Sequence, residues 1–431
     1  MKSLFLELNE FNFDLLKEAG NELDLKNLKR LCSFYKSDTW TEDTYESDYL
    51  DPWVQWVSVH TGLPSSQHKV KHLGDVTNLQ TEQLWEKLSE CGVSSGIWCA
   101  MNATRGKADQ CLFFLPDLWT ASERAYPEEL NVLLDPLRAT SKNYTSKRKL
   151  EYLKDARKFL TLFKKNGLLG SFIKKTVKVI LDAIRFRFKP FVFISFTDDL
   201  SANLFLKYKK RYNPDFSILF LNCLAHLQHH QWKNRKIKKS DPLAHGFRTI
   251  DRILGMLFDQ LGPNDLIIVT NAFSQKNTSD EKPWILYRQI DQKKFLEAMG
   301  LHHVSVESHM THDAHLTFPS AELAEKGQIL LEGIRIQGDP LFLVEAYPDE
   351  PTKLFYRIQF TDELRHDAYF VSQGKSFSFF DLFTAIVKRT GRHTQGGTLL
   401  CNQEKFPPKL ANHEISSIIL DLYPLSEIQK V

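Results

Sequence analysis

The run Phe216–Leu221 constrains this chain more than any other stretch. It is apolar, six residues long and rich in Phe, Ile and Leu, which is the pattern of a strand buried on both faces of a parallel sheet. It stops at Asn222, and His226, His229 and His230 follow within eight residues. Ligands of open α/β sheets bind just beyond the carboxyl ends of the strands, so an Asn with His four residues later stands where a site is expected. A polar strand end followed by a helix with scattered surface histidines is the competing reading, and residue type alone leaves both open.

The flanking sequence supplies companions for that strand. Leu4–Leu8 reads as a first strand ending at Asn9, with Glu10 and Asn12 close behind, and a helical pattern then runs to about Leu31. Asp51-Pro52 marks a helix start, with Asp as cap and Pro in the first turn. Trp53, Trp56, Val57 and His60 share a face of that helix, and Thr61-Gly62 closes it. Its free N–H groups can receive an anion, although its tryptophans suit a buried core equally well. Ser95–Met101, Phe191–Phe196, Asp265–Thr270 and Gly397–Cys401 are further strand candidates; Leu112–Leu118 reads as a strand or a loop. Gly246–Leu261 and Asn412–Leu422 are patterned as helices. Asn9, Asn102, Asn222 and Asn271 each terminate an apolar run, which points to a shared polar floor at one edge of the sheet.

Two stretches depart from this rhythm. Residues 141–189 are basic and amphipathic, with Leu, Phe and Ile recurring at three and four, so a helical insertion is expected there. Such a segment either caps the core with a solvated basic face or lies on an anionic membrane surface, and 146–188 is the candidate for peripheral membrane contact. Residues 276–385 are less regular and suggest a second, cap-like insertion. They include SHMTHDAH, Ser308–His315, dense enough in His and Asp to hold a metal or to be a plain imidazole-rich loop. The core is then expected from 1–140, 190–275 and 386–431.

Composition narrows the class. With 431 residues the chain can bury a large core. A net charge of +3 gives no reason to expect nucleic acid as a partner. Six dispersed Cys without a CxxC pair indicate neither a structural zinc nor a disulfide framework. Acidic residues interrupt the short apolar run at the N-terminus, a poor secretion signal, and no stretch reaches the ~18 apolar residues of a membrane span. A cytoplasmic location is the expectation.

The order of these motifs resembles the alkaline phosphatase superfamily, especially its type I phosphodiesterase and nucleotide pyrophosphatase branch. The residues that carry the likeness are LFLELN at the first strand, PWVQWVSVHTG followed by His68, Asn222-Cys-Leu-Ala-His226, Asn271-Ala272, and TGRHTQGG around His393. The resemblance implies a three-layer α/β sandwich with a mainly parallel central sheet. It also implies two metal ions, usually zinc or manganese, at positions matching Asn9, Asn222, His226, Asn271 and His393. The departures carry equal information. Amides replace three aspartates, Ala272 replaces a histidine, and Pro52 stands where the nucleophilic hydroxyl belongs, with Ser58 as a substitute farther along the helix. Carboxylates are what offset the desolvation of a bound cation, so an atypical or absent dinuclear site is expected. Two functions follow. One is a hydrolase or transferase acting on a phosphate- or sulfate-bearing substrate, a glycan or nucleotide-sugar among them. In it His226, His229 or His393 acts as acid or base, and Asn9, Gln55, Asn222 and Asn271 hold the anion in a neutral pocket. The alternative is a non-catalytic anion- or glycan-binding protein of the same fold.

Overall fold

The computed structural model describes residues 2–44, 49–143, 152–309 and 312–423. Positions 144–151 of the expected basic insertion lie outside them. The contacts group the chain into two compact units, 1–135 with 153–279 and 390–431, and 136–152 with 280–389.

The first unit is built on an eight-stranded sheet. Its strands in chain order are β1 (Ser3–Leu8), β2 (Tyr35–Trp40), β3 (Ser95–Trp98), β4 (Cys111–Leu115), β5 (Phe216–Leu221), β6 (Leu266–Thr270), and the segments Gly396–Cys401 and Lys409–Ala411. The spatial order runs Lys409–Ala411, β2, Gly396–Cys401, β6, β1, β5, β3, β4. From β6 to β4 the strands are parallel; Gly396–Cys401 runs antiparallel to both β6 and β2. A separate ribbon pairs β7 (Ser274–Asn277) with Gly391–Thr394.

Period-two alternation divides the core between the two faces of the sheet. Leu4, Leu6, Leu8, Leu219, Leu221, Ile267 and Val269 pack on one face. That face is covered by helices α1 (Phe13–Glu22), α2 (Lys26–Cys32), α9 (Pro190–Tyr212), α10 (Cys223–Gln231) and α11 (Pro242–Phe258). Phe5, Ile218, Phe220 and Ile268 pack on the other, under α3 (Pro52–Thr61), α5 (Leu84–Glu90) and the helix Glu414–Asp421. Helices on both faces of a mainly parallel sheet are the expected α/β class. Phe216–Leu221 is fully buried and flanked by β1 and β3, as a two-faced apolar run requires.

One expected strand is a helix. Phe191–Phe196 forms the first turns of α9, whose Pro190 occupies the first helical position. The window FVFISF is too short to show a period. Over the whole helix the buried positions Val192, Ser195, Asp199, Ala202, Phe205 and Tyr208 recur at three and four. Within residues 153–189, α7 (Tyr152–Lys165) and α8 (Leu169–Arg185) are helical.

The second unit is largely antiparallel. Phe342–Ala346, Lys353–Ile358, Asp313–Thr317 and Ser305–Ser308 form one four-stranded sheet, in that order. Its core gathers Phe295, Phe342, Tyr356, Phe370, Phe379 and Phe383. The strands are two to six residues long, too short for alternation to stand out in the sequence.

In the first unit, Gly96 lies opposite Phe113 in the β3–β4 register, and a Cβ there would come 2.2 Å from the Phe113 ring. That ring is wedged among Trp98, Phe205, Tyr208 and Tyr212 and has no room to retreat. Gly96→Ala is therefore expected to destabilise the fold by about 1–3 kcal/mol, read as a lowered denaturation midpoint with an unchanged slope.

Candidate metal centre

The carboxyl ends of β1, β5 and β6 form the floor of the site. Hydrogen bonding continues past the strands: Asn9 N donates to Leu221 O and Glu10 N to Asn271 O. Glu10 adopts a left-handed backbone, φ 54°, a conformation that costs a residue with a Cβ about 1–2 kcal/mol. Backbone strain of this kind concentrates at functional positions. Ala272, just past β6, is left-handed as well.

Three side chains converge above this floor. Glu10 Oε2 lies 2.9 Å from His229 Nε2 on α10 and 3.1 Å from His393 Nε2, and the two Nε2 atoms are 3.2 Å apart. The second nitrogen of each ring is turned to a main-chain carbonyl, His229 Nδ1 to Gly391 O at 3.1 Å and His393 Nδ1 to Leu50 O at 2.8 Å. A carbonyl only accepts, so each Nδ1 carries the proton. Both Nε2 lone pairs then point at the Glu10 carboxylate. Three acceptors converge with no proton to share when both rings are neutral, so the arrangement requires a cation, either an added proton or a metal ion.

The donor set fits a metal. Two imidazoles and a carboxylate, each imidazole oriented by a carbonyl, make a three-ligand site of the zinc or 2-His-1-carboxylate kind. Donors placed tetrahedrally around zinc at 2.0–2.1 Å stand about 3.4 Å apart, close to the distances here. Among the described residues this is the group of His, Cys, Asp and Glu side chains that meets the spacing. Glu10 is enclosed. Burial raises its carboxyl; when the added cation is a proton on the rings, the charges of His393 and His229 and their hydrogen bonds outweigh this and hold it well below the usual range. Gln275 Nε2 donates to Glu10 Oε2 at 2.6 Å and Asn9 Nδ2 to Oε1 at 3.0 Å. Gln275 stands opposite His393 in the ribbon register, so a single β-pair brings both to the same carboxylate.

The structure redistributes the residues expected at the site. The amide oxygen of Asn9 accepts from Trp56 Nε1 (2.7 Å), that of Asn222 from Asn9 Nδ2 (2.9 Å), and that of Asn271 from Thr398 N (2.8 Å). The oxygen is the atom an Asn offers a cation, and in all three an N–H already engages one of its lone pairs, so the three amides tie the strand ends together. Asn271 is further closed to an anion because its Nδ2 donates to Phe11 O and its side chain is wholly buried. Asn102 joins none of this; it ties Trp53 O, His72 O and Gly74 N together. His226 is not among the three converging donors. Its ring packs against His230, with centroids 4.5 Å apart, and burial pushes it down to about 4, aided by the charge of His229. His229, one helical turn on, pairs with His393.

Gln55 is not an anion ligand. Its Nε2 donates to Asp43 Oδ2 and Tyr49 O, and its Oε1 accepts from Asn412. Ser58 is not an activated nucleophile. Val70 N donates to His68 Nδ1, so His68 Nε2 carries the proton and donates to Ser58 Oγ at 3.0 Å, the reverse of what a general base would do. Nor is the pocket neutral. Glu10 lies in it, and Asp51 Oδ1, at the start of α3, stands 3.4 Å from His393 Nδ1. The start of α10 is also taken, since Asp198 accepts from Asn222 N and Cys223 N. In the second unit, His309, Asp313, His315 and Tyr347 bond to one another in a chain and offer no converging set of donors. Glu10 is the candidate residue that motif matching passes over. Its signal was a carboxylate directly after the Asn that ends β1.

No known-family profile matches the chain, and no curated protein matches it in sequence. Solved structures do. Human ectonucleotide pyrophosphatase/phosphodiesterase 5 is 12% identical, with 99% of this chain and 96% of that chain covered and a TM-score of 0.44. Phosphonoacetate hydrolase from Sinorhizobium meliloti 1021, in complex with phosphonoformate, is 13% identical over 98% and 96% with a TM-score of 0.47. A mutant of the alkaline phosphatase PafA is 11% identical over 97% and 95% with a TM-score of 0.45. All three are members of the alkaline phosphatase superfamily, the group that the sequence resembles.

Two outcomes are expected. Metal-free protein titrated with zinc or manganese should take up one equivalent, measured by calorimetry and elemental analysis, and Glu10→Gln should abolish that uptake. Asn9→Ala, which frees Glu10 Oε1, should weaken it by about 10–100-fold. Separately, burial pushes His68 down to about 4 against the pull of Asp43. The unfolded chain then takes up a proton below about 6.5 that the fold refuses. Stability from this group is complete above pH 6.5 and is lost as pH falls to 4, by about 3 kcal/mol at most. His68→Gln should flatten that part of the melting-temperature profile.

Proposed function

We propose that this chain is a hydrolase or transferase of phosphate or sulfate esters, working at a single-metal centre made by Glu10, His229 and His393. The observation that carries the reading is the convergence of three proton acceptors at the carboxyl ends of β1, β5 and β6, each imidazole fixed by a carbonyl. The order of strand-end motifs, which resembles the alkaline phosphatase superfamily, points to a phosphoryl or sulfuryl group as the reacting centre. A glycan or nucleotide-sugar would carry it.

When bound, a zinc-class ion supplies Lewis acidity at that centre. The chain's own groups do the rest. Leu50 O and Gly391 O keep both imidazoles in the tautomer that presents Nε2. Asn9 and Gln275 hold the Glu10 carboxylate in place. The amide nitrogen of Asn222, whose oxygen is engaged by Asn9, remains a donor toward an ester oxygen. His226 is neutral at pH 7 because burial lowers it to about 4, which makes it a weak proton acceptor. With proline at position 52 and Ser58 held by His68, attack by water rather than by a side chain is the consistent route.

The missing hydroxyl also favours a second reading, a non-catalytic protein that binds an anion or glycan in the same place. Aryl phosphate monoesters, diesters and sulfates, offered to protein loaded with zinc or manganese, decide between them. Turnover that Glu10→Gln and His393→Ala abolish is the expected result. Saturable binding of those esters without turnover would instead establish the binding protein. If the loaded protein neither binds nor turns over any of them, both readings fall.

A further inference from the structure

Helix α8 and the turn after it carry apolar surface that the fold does not cover. Ile173, Val177, Ile180, Leu181 and Ile184 are between 52% and 62% exposed, and Phe188 reaches 67%. At about 100° per residue, the five on the helix form one stripe. The helix already has a core side: Val179 and Ala183 are buried, and Phe172 stacks on Phe163 with centroids 4.5 Å apart. The exposed stripe lies about 120° round from it. This second apolar face is therefore not needed to hold the helix in the fold. Contiguous exposed apolar surface of this kind marks an interaction site.

The charge beside the stripe says what covers it. Lys174, Lys178 and Arg185 run along one edge, and Arg187 and Lys189 follow at the turn. Residues 166–197 hold six Lys or Arg and a single acid, Asp182. Asp182 engages Lys178, whereas Lys174, Arg187 and Lys189 enter no ion pair among the described residues. Arg187 and Phe188 both adopt left-handed backbones, φ 54° and 56°, and Phe188 N donates to Ala183 O at 2.7 Å. The turn thus presents a large aromatic side chain and cations together. Among the described residues no helix is long and apolar enough to cross a bilayer.

We propose that α8 and its turn rest on an anionic lipid bilayer. The Ile173–Ile184 stripe and Phe188 enter the boundary between headgroups and acyl chains, and Lys174, Arg187 and Lys189 meet lipid phosphates. An apolar protein groove would leave those cations unmatched; a bilayer with anionic lipid satisfies both features. The proposal is independent of the metal centre and stands whether or not the chain is an enzyme.

Co-sedimentation of the full chain with vesicles tests it. Wild type should pellet with phosphatidylglycerol–phosphatidylcholine vesicles and stay in solution with phosphatidylcholine alone. Leu181→Glu with Ile184→Glu should abolish pelleting. Lys174→Gln should weaken partition about fivefold, the equivalent of about 1 kcal/mol per basic residue, and added salt should act in the same direction. Because these side chains are more than half exposed, both variants should melt as wild type does; a marked loss of stability would show the stripe to be packed and overturn the proposal. Absence of vesicle binding, or equal binding to phosphatidylcholine, would also overturn it. So would a wild-type dimer that Leu181→Glu dissociates, which would assign the stripe to a second copy of the chain.

Discussion

The position of β1 between β5 and β6 is the constraint on which the first unit depends. Both pairings are parallel and in register along most of the strand. Strands from the start and the middle of the chain therefore finish at one level. The main-chain bonds that run on past the strands, Asn9 N to Leu221 O and Glu10 N to Asn271 O, carry this alignment into the loops. A buried parallel sheet must satisfy every one of its amides within the fold. The turns leaving it accordingly have little freedom, and their side chains inherit precise placement from main-chain geometry.

That placement brings together groups that would repel each other without a cation. A buried carboxylate facing two imidazole lone pairs is costly, and it persists because Leu50 O, Gly391 O, Asn9 and Gln275 fix each member separately. The left-handed backbone at Glu10 and the enclosure of its carboxylate are further local costs set against the same arrangement. Several unfavourable choices at one point, each compensated by ordinary hydrogen bonds nearby, distinguish this cluster from the His309–His315 chain, where proton donors and acceptors alternate and no cation is called for.

The amides at the strand ends take part differently from what residue matching suggests. Asn9 links Trp56, Asn222 and Glu10, so it connects α3, the end of β5 and the Glu10–His229–His393 cluster through one side chain. The proposed ligand set differs from the matched positions by one residue just after β1 and by one helical turn in α10. Small displacements of this kind preserve donor chemistry while changing which residues supply it. The coordination inferred here is accordingly a compact three-donor site, with the asparagines acting as a hydrogen-bonded frame around it.

Much of the first unit was legible in the sequence because its physical causes are local. Apolar runs of five or six residues named β1, β5 and β6, Pro52 and Gly62 bounded α3, and the three-four spacing of α11 showed its buried side. Where two structures share a local pattern, the sequence could not separate them: FVFISF opens a 23-residue helix, and only the packing of α9 across the sheet shows which residues turn inward. The strand ends, with His229 and His393 among the candidates, were also where sequence placed a site, and there the candidate cluster gathers. The partnership of Glu10 with those two histidines was decided by tertiary structure alone. It joins positions more than two hundred residues apart, and it depends on a left-handed turn after β1, on the register that sets Gln275 opposite His393, and on two distant carbonyls that choose the imidazole tautomers. None of these is a property of the residues that form the site; each is set by main chain elsewhere in the fold.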